Sequence, residues 1–277
     1  SEFVVVKVRA VPMCTEFKAF REGQQTQCLG HEAAGEVVAV DCSSRVQVGD
    51  RVVVQPQYPC GKCALCEAGD YIHCQHNRDV LAETGNTTGV ATYAQYLLKA
   101  DWLLTPIPAG MSYEHAAMAL CGLGPTFGAM QLMHVDAFDT VLITGLGPVG
   151  LGGVINGVFR GARVIGVESH PYRAALAREL GAVAVINPQD ADAVEQVRAL
   201  TGGRGADKAI ETSGVAAAKT FLAEAVRRKG QIAFVGWEGS IEAGTIIQKG
   251  LTIHGAWHYN LYDAGKLMGI IAKVGPQ

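Results

Sequence analysis

The stretch VLITGLGPVGLGGVINGVFRGARVIGVE, Val141–Glu168, decides how the rest of the chain is read. It opens on a short apolar run, Val141–Thr144, of strand character. Gly145-Leu-Gly147-Pro148-Val149-Gly150 follows and leads into a helical segment that runs through Phe159. Arg163–Glu168 is the next strand, and its terminal acid stands eighteen residues after Gly150. A bare G-x-G-x-x-G carries little weight. Between a strand and a helix, with an acid closing the second strand, it reads as a dinucleotide turn. The first glycine permits the tight turn, the second lets a pyrophosphate approach, and the third packs helix on strand. Pro148 and Val149 begin the helix, whose positive end faces the phosphates. A carboxylate at Glu168 accepts hydrogen bonds from both ribose hydroxyls and repels a 2′-phosphate, which favours NAD over NADP. Arg173, five residues on, softens that repulsion. Residues 141–159 carry no charge, but six glycines and an asparagine interrupt them, so no membrane span is expected.

Downstream, strands and helices alternate. Helices are expected at Pro171–Leu180, Ala191–Leu200 and Ala216–Arg228, and strands at Val183–Ile186, Asp207–Ile210, Gln231–Val235 and Leu251–His254. Six strands joined by crossovers predict an α/β domain with a doubly wound parallel sheet, over 121–262. Upstream of residue 120 the chain changes character. Valine-rich runs at Val4–Val8, Ala34–Val40 and Arg51–Gln55 lie between Gly, Pro and Asp turns, so 1–120 reads as a mostly β domain whose loops carry cysteine and histidine.

Four of the eight cysteines crowd together. Cys60, Cys63, Cys66 and Cys74 have the spacing C-x2-C-x2-C-x7-C, within a lobe at 58–76, which suits four thiolates converging on a tetrahedral ion. Such a closed site is structural. A disulfide pair is disfavoured by the local density of thiols, and an iron–sulfur cluster is the weaker rival metal centre. A second constellation is dispersed. Cys14, His31-Glu32 and Cys121 offer the Cys2His set of a catalytic zinc with one position open, although periodicity cannot show that they meet.

Composition bounds the partners. The chain has 277 residues, 49% of them apolar, and a net charge of −3. That is enough apolar material for a folded core, and the balance of charge speaks against nucleic acid or an anionic membrane as partner. The N-terminal SEFVVVKVRA is too charged for a signal peptide, and clustered cysteines fit a reducing, cytoplasmic setting.

At these residues the chain resembles the medium-chain dehydrogenase/reductase family, zinc-dependent alcohol dehydrogenase type. Gly30-His31-Glu32-Ala-Ala-Gly35 is similar to its G-H-E-x-x-G signature, and Gly49-Asp50-Arg51-Val52 to its G-D-R-V turn. Cys60–Cys74 resembles its structural zinc lobe, Cys121–Ala129 its last catalytic-ligand segment, and Gly145–Gly150 with Glu168 and Arg173 its NAD site. The resemblance implies a Rossmann domain plus a GroES-like catalytic domain, incomplete here, with the chain truncated at both ends and 263–277 starting the return to the catalytic domain. It implies one structural and one catalytic zinc, the latter on Cys14, His31 and Cys121, with Glu32 a further or transient ligand. It also implies hydride transfer between an alcohol, polyol or matching carbonyl and NAD, in a homodimer or homotetramer. The family reads C-G-T-D or C-x-S/T after its first ligand; Cys14-Thr15-Glu16 departs from that, so either Thr15 or Glu16 starts the proton relay. Two other readings are a zinc-free enone or quinone reductase of the same fold and a non-catalytic NAD-sensing module.

Overall fold

The computed structural model describes residues 2–23, 29–43, 45–85 and 92–275. They form two compact units, 1–122 with 260–277 and 123–259. Cys121 therefore belongs to the first unit rather than opening the second, and Asn260–Tyr262 return with it.

The first unit is built on a five-stranded antiparallel sheet. Its strands are β1 (Phe3–Ala10), β2 (Ala33–Val40), β3 (Arg51–Val54), β4 (Tyr96–Ala100) and β5 (Leu104–Pro106), in the order β4-β1-β2-β3-β5. Alternating valines give it one buried face: Val4, Val6, Val37, Val52, Val54, Leu97 and Leu104 share a core. Strands β4 and β5 were not marked by the sequence reading. β5 is only three residues long and ends in a proline, which a sheet edge tolerates. A second core, of Tyr71, Ile72, Ala100 and Leu103 with Cys66 and Cys74, seats the four-cysteine lobe.

The second unit holds a six-stranded parallel sheet: β6 (Thr140–Thr144), β7 (Arg163–Val167), β8 (Ala184–Ile186), β9 (Ala206–Glu211), β10 (Val226–Phe234) and β11 (Thr252–Gly255). The order β8-β7-β6-β9-β10-β11 places the reversal of winding between β6 and β9. Side chains alternate across the sheet. Val141 and Ile143 pack on one face beneath helices Gly124–Leu132 and Pro148–Phe159. Leu142 and Ile165 pack on the other face, beneath Ala193–Leu200 and Ala216–Ala225. The helix expected over 216–228 stops at Ala225. Val226 pairs with Ala206, and Lys249 Nζ caps the helix end by donating to the carbonyls of Ala223, Glu224 and Val226. Among the described residues no helix is long and apolar enough to cross a membrane.

Lys99 on β4 is an expensive feature of the first unit. It is 2% exposed, and its ammonium donates to the Gln57 carbonyl and lies 4.0 Å from the centre of the Tyr58 ring. Burial draws its pKa down to about 7. The folded value lies below the unfolded one, so the cost of burying the ammonium is borne in full below pH 7 and fades as pH rises toward 10.5. Lys99→Met is expected to raise the unfolding free energy at pH 6 by about 2–3 kcal/mol. In urea titrations that gain should vanish near pH 10; parallel pH profiles for the two chains would contradict a desolvated Lys99.

Candidate active site

The closed lobe assembles as its spacing predicts. Cys63 precedes the short helix Ala64–Glu67, which carries Cys66, and a tight turn at Tyr71–His73 delivers Cys74. The sulfur separations are 3.5 Å for Cys63–Cys66, 3.6 Å for Cys60–Cys74, 3.9 Å for Cys63–Cys74 and 4.0 Å for Cys60–Cys66. An ion about 2.3 Å from each of four sulfurs sets tetrahedral edges near about 3.8 Å. The thiols are free rather than paired as disulfides. The amides of Cys60 and His76 donate to Cys74 Sγ, as they would to a thiolate. Backbone donation from Cys66 brings the Cys63 thiol down to about 6, while burial pushes Cys66 up to about 12. Four crowded thiols do not ionise together unless a cation lies among them, so the lobe fits a metal ion.

The dispersed constellation also converges. Ligand atoms of Cys14, His31, Glu32 and Cys121 all lie within 4.8 Å of one another. Cys14 precedes helix Glu16–Arg21, His31 and Glu32 lead into β2, and Cys121 follows helix Tyr113–Ala117. His31 Nε2 is 3.3 Å from both Cys121 Sγ and Glu32 Oε1. Glu32 is 1% exposed: its Oε2 accepts from the Cys121 amide at 2.9 Å, and its Oε1 has no hydrogen-bond partner. A buried carboxylate oxygen facing two thiols and an imidazole is a site for a cation. Hydrogen bonding from Cys121 lowers the Cys14 thiol to about 6, and that same bond and burial hold Cys121 well above its ordinary value. Burial opposes a charge on His31, but its contacts with Cys14 and Glu32 outweigh this and raise it to about 10.

The departure at Cys14-Thr15-Glu16 has a spatial meaning. Glu16 Oε1 meets His31 Nδ1, and Glu16 Oε2 is buried without a partner. A carboxylate on Nδ1 fixes the ring so that Nε2 is the free donor atom, the usual support of a ligating histidine. Thr15 is exposed beside Cys14 and makes no capping bond to the helix that follows.

In the second unit a cleft of about 450 Å³ opens at the carboxyl ends of β6 and β9. Gly145, Gly147, Glu168 and Arg173 line it. Pro148 and Val149 begin the helix behind it. Gly145 has φ +80°, and a Cβ there would lie 2.5 Å from Ser213 Cα. A Cβ on Gly150 would lie 2.0 Å from the Gly145 carbonyl, so the third glycine closes the turn on itself. A Cβ on Gly147 would meet nothing nearer than Arg173 at 4.0 Å, leaving the bare backbone open to the cleft. Glu168 accepts from the amides of Leu146 and His170 at 2.9 and 2.8 Å, and Arg173 Nε stands 3.5 Å from it. This cradle fits a dinucleotide. The sequence reading missed the opposite wall, Thr212, Ser213 and Val215. The signal was present: these residues follow the strand that neighbours the first across the reversal of strand order. Of the Trp257-His258-Tyr259 run, His258 and Tyr259 are buried packing residues, stacked on each other, while Trp257 is partly exposed against Trp237.

Comparison with known proteins agrees with this architecture. Residues 1–109 match the alcohol dehydrogenase GroES-like domain, and residues 148–273 match the zinc-binding dehydrogenase domain. Sorbitol dehydrogenase of Bacillus subtilis is 32% identical over 277 residues, covering 95% of this chain and 77% of that protein. D-arabitol-phosphate dehydrogenase of Enterococcus avium is 30% identical over 283 residues, covering 98% and 79%. Among solved structures, alcohol dehydrogenase TADH from Thermus sp. ATN1 superposes with a TM-score of 0.87 at 26% identity, covering 98% of this chain and 82% of that one. With both domains matched in sequence and the two sheets built as described, the chain belongs to the zinc-type alcohol dehydrogenases of the medium-chain dehydrogenase/reductase family.

Proposed function

We propose that this protein transfers a hydride between an alcohol or polyol hydroxyl and NAD at a zinc held by Cys14, His31 and Cys121, with Glu32 as a fourth or alternate donor. The observation that carries the reading is the convergence of these donors from separate segments within 4.8 Å, with a buried Glu32 oxygen 3.3 Å from His31 Nε2. The relatives named for alcohol, sorbitol and arabitol-phosphate oxidation support the reaction class. A zinc ion there supplies Lewis-acid polarisation of the substrate oxygen, and a bound dinucleotide supplies the hydride acceptor.

The chain's own residues do the rest. With zinc bound, Cys14 and Cys121 would bring negative charge, and His31 would offer Nε2 while Nδ1 keeps its proton toward Glu16. With Glu16 committed to His31, the hydroxyl of Thr15 takes the substrate proton on its way to solvent. Glu32, tied to the Cys121 amide, couples two donors and keeps one oxygen free to approach the ion. A second zinc in the Cys60–Cys74 lobe is structural. Glu168 favours NAD, since its carboxylate repels a 2′-phosphate; Arg173 moderates this. We place the enzyme in the cytoplasm, as a homodimer or homotetramer acting on a small molecule.

Cys14→Ser is expected to lower bound zinc from two equivalents to one and to abolish alcohol oxidation, with the Kd for NAD changed less than about twofold. Glu16→Gln in the same assays is expected to weaken zinc retention or turnover by about 10- to 100-fold. Unchanged zinc content and turnover in Cys14→Ser would remove the catalytic site from this account. Glu168→Ser, which leaves Arg173 facing the ribose, is expected to shift the NADP-to-NAD ratio of kcat/KM upward by at least about tenfold. A constant ratio would show that Glu168 does not select the cofactor.

A further inference from the structure

Glu211 is fully buried at the carboxyl end of β9, yet it does not line the cleft. Its Oε1 accepts three hydrogen bonds from the turn that follows: from Ser213 N at 2.7 Å, Ser213 Oγ at 2.5 Å and Gly214 N at 3.1 Å. Its Oε2 has no hydrogen-bond partner and lies against Gly236, where a Cβ would meet it at 2.0 Å. Gly236 and Val235 in turn donate their amides to the Glu211 carbonyl. One residue thereby holds the 212–214 turn to the end of β10.

That turn bears directly on the dinucleotide cradle. Thr212 Oγ1 donates to the carbonyls of Thr144 and Gly145, at 2.8 and 2.7 Å. Ser213 Cα occupies the space that a Cβ on Gly145 would need. A shift of the 212–214 turn therefore presses on Gly145 or leaves a gap beside it. A buried polar side chain is costly where an apolar one would pack. Its retention at this point needs a reason, and the position of the cleft wall supplies one.

We infer that Glu211 is a positioning residue for dinucleotide binding: it fixes the 212–214 turn against Gly145 and so sets the width of the cleft without touching the ligand. This rests on the reading of the cleft as a dinucleotide site. In Glu211→Ala the Ser213 and Gly214 amides lose their acceptor, and the turn is free to move. In Glu211→Gln the side-chain carbonyl still accepts from both amides.

The test is calorimetric titration of this 277-residue chain with NAD, together with hydrogen exchange at the 213 and 214 amides. Glu211→Ala is expected to raise the Kd by at least about tenfold and to expose both amides to fast exchange. Glu211→Gln should restore protection and bring the Kd to within about threefold of the parent. Thr212→Val, which removes the hydroxyl tie to Thr144 and Gly145 at a residue that also lines the cleft, is expected to raise the Kd by about threefold or more and to speed exchange at the 213 and 214 amides, and the two readouts together carry the test if Glu211→Ala fails to fold. A parent chain that does not bind NAD would overturn the dinucleotide reading itself. A parent that binds, with Glu211→Ala merely less stable and equal in affinity, would overturn the positioning role. So would a Thr212→Val chain of unchanged affinity.

Discussion

Crowding of electron-pair donors is the constraint on which the first unit depends. Thiols packed 3.5–4.0 Å apart, and an imidazole set beside two thiols and a buried carboxylate, gather donors that could hold a cation. Hydrogen bonding draws the Cys63 and Cys14 thiols down to about 6, burial pushes Cys66 up to about 12, and contacts with Cys14 and Glu32 raise His31 to about 10. The sheet accommodates both clusters. His31-Glu32 immediately precede β2, while the core of Tyr71, Ile72 and Leu103 seats the lobe. Asn260 and Tyr262 then brace the lobe, donating to the carbonyls of Ala68 and Glu67.

The second unit presents bare backbone at a cleft whose shape fits a dinucleotide. Three glycines do this in three ways: by positive φ at 145, by an open face at 147 and by contact with the turn's own carbonyl at 150. The reversal of strand order between β6 and β9 makes room beside that turn, and the wall opposite is set by the buried Glu211 and the Thr212 hydroxyl. Glu168 is held from the other side by two backbone amides, so its carboxylate is presented in one orientation.

Most of this architecture was legible in local sequence signals. The parallel sheet followed from strands and helices that alternate between glycine turns, and the cysteine lobe followed from short spacing, since residues so close along the chain can hardly avoid meeting. What local signals could not supply was distance. The meeting of Cys14, His31 and Cys121, the last two 90 positions apart, is a product of the tertiary fold. The contact of Glu16 with His31 Nδ1, which separates the roles of Thr15 and Glu16, is of the same kind. The helix expected to continue to Arg228 was overruled by pairing of Val226 with Ala206, a long-range contact that outweighs helix propensity. Edge strands β4 and β5 were too short to announce themselves by alternation.

The central claim is that two donor sets of different chemistry each hold a zinc ion. Zinc-edge X-ray absorption on the fully loaded chain tests this directly. A lobe of four sulfurs and a site of two sulfurs, one nitrogen and one oxygen average to about three sulfurs and one lighter ligand per zinc, at two equivalents per chain. A first shell of sulfur alone, at a single equivalent, would mean that Cys14, His31, Glu32 and Cys121 hold no metal, and the account of the active site would fail.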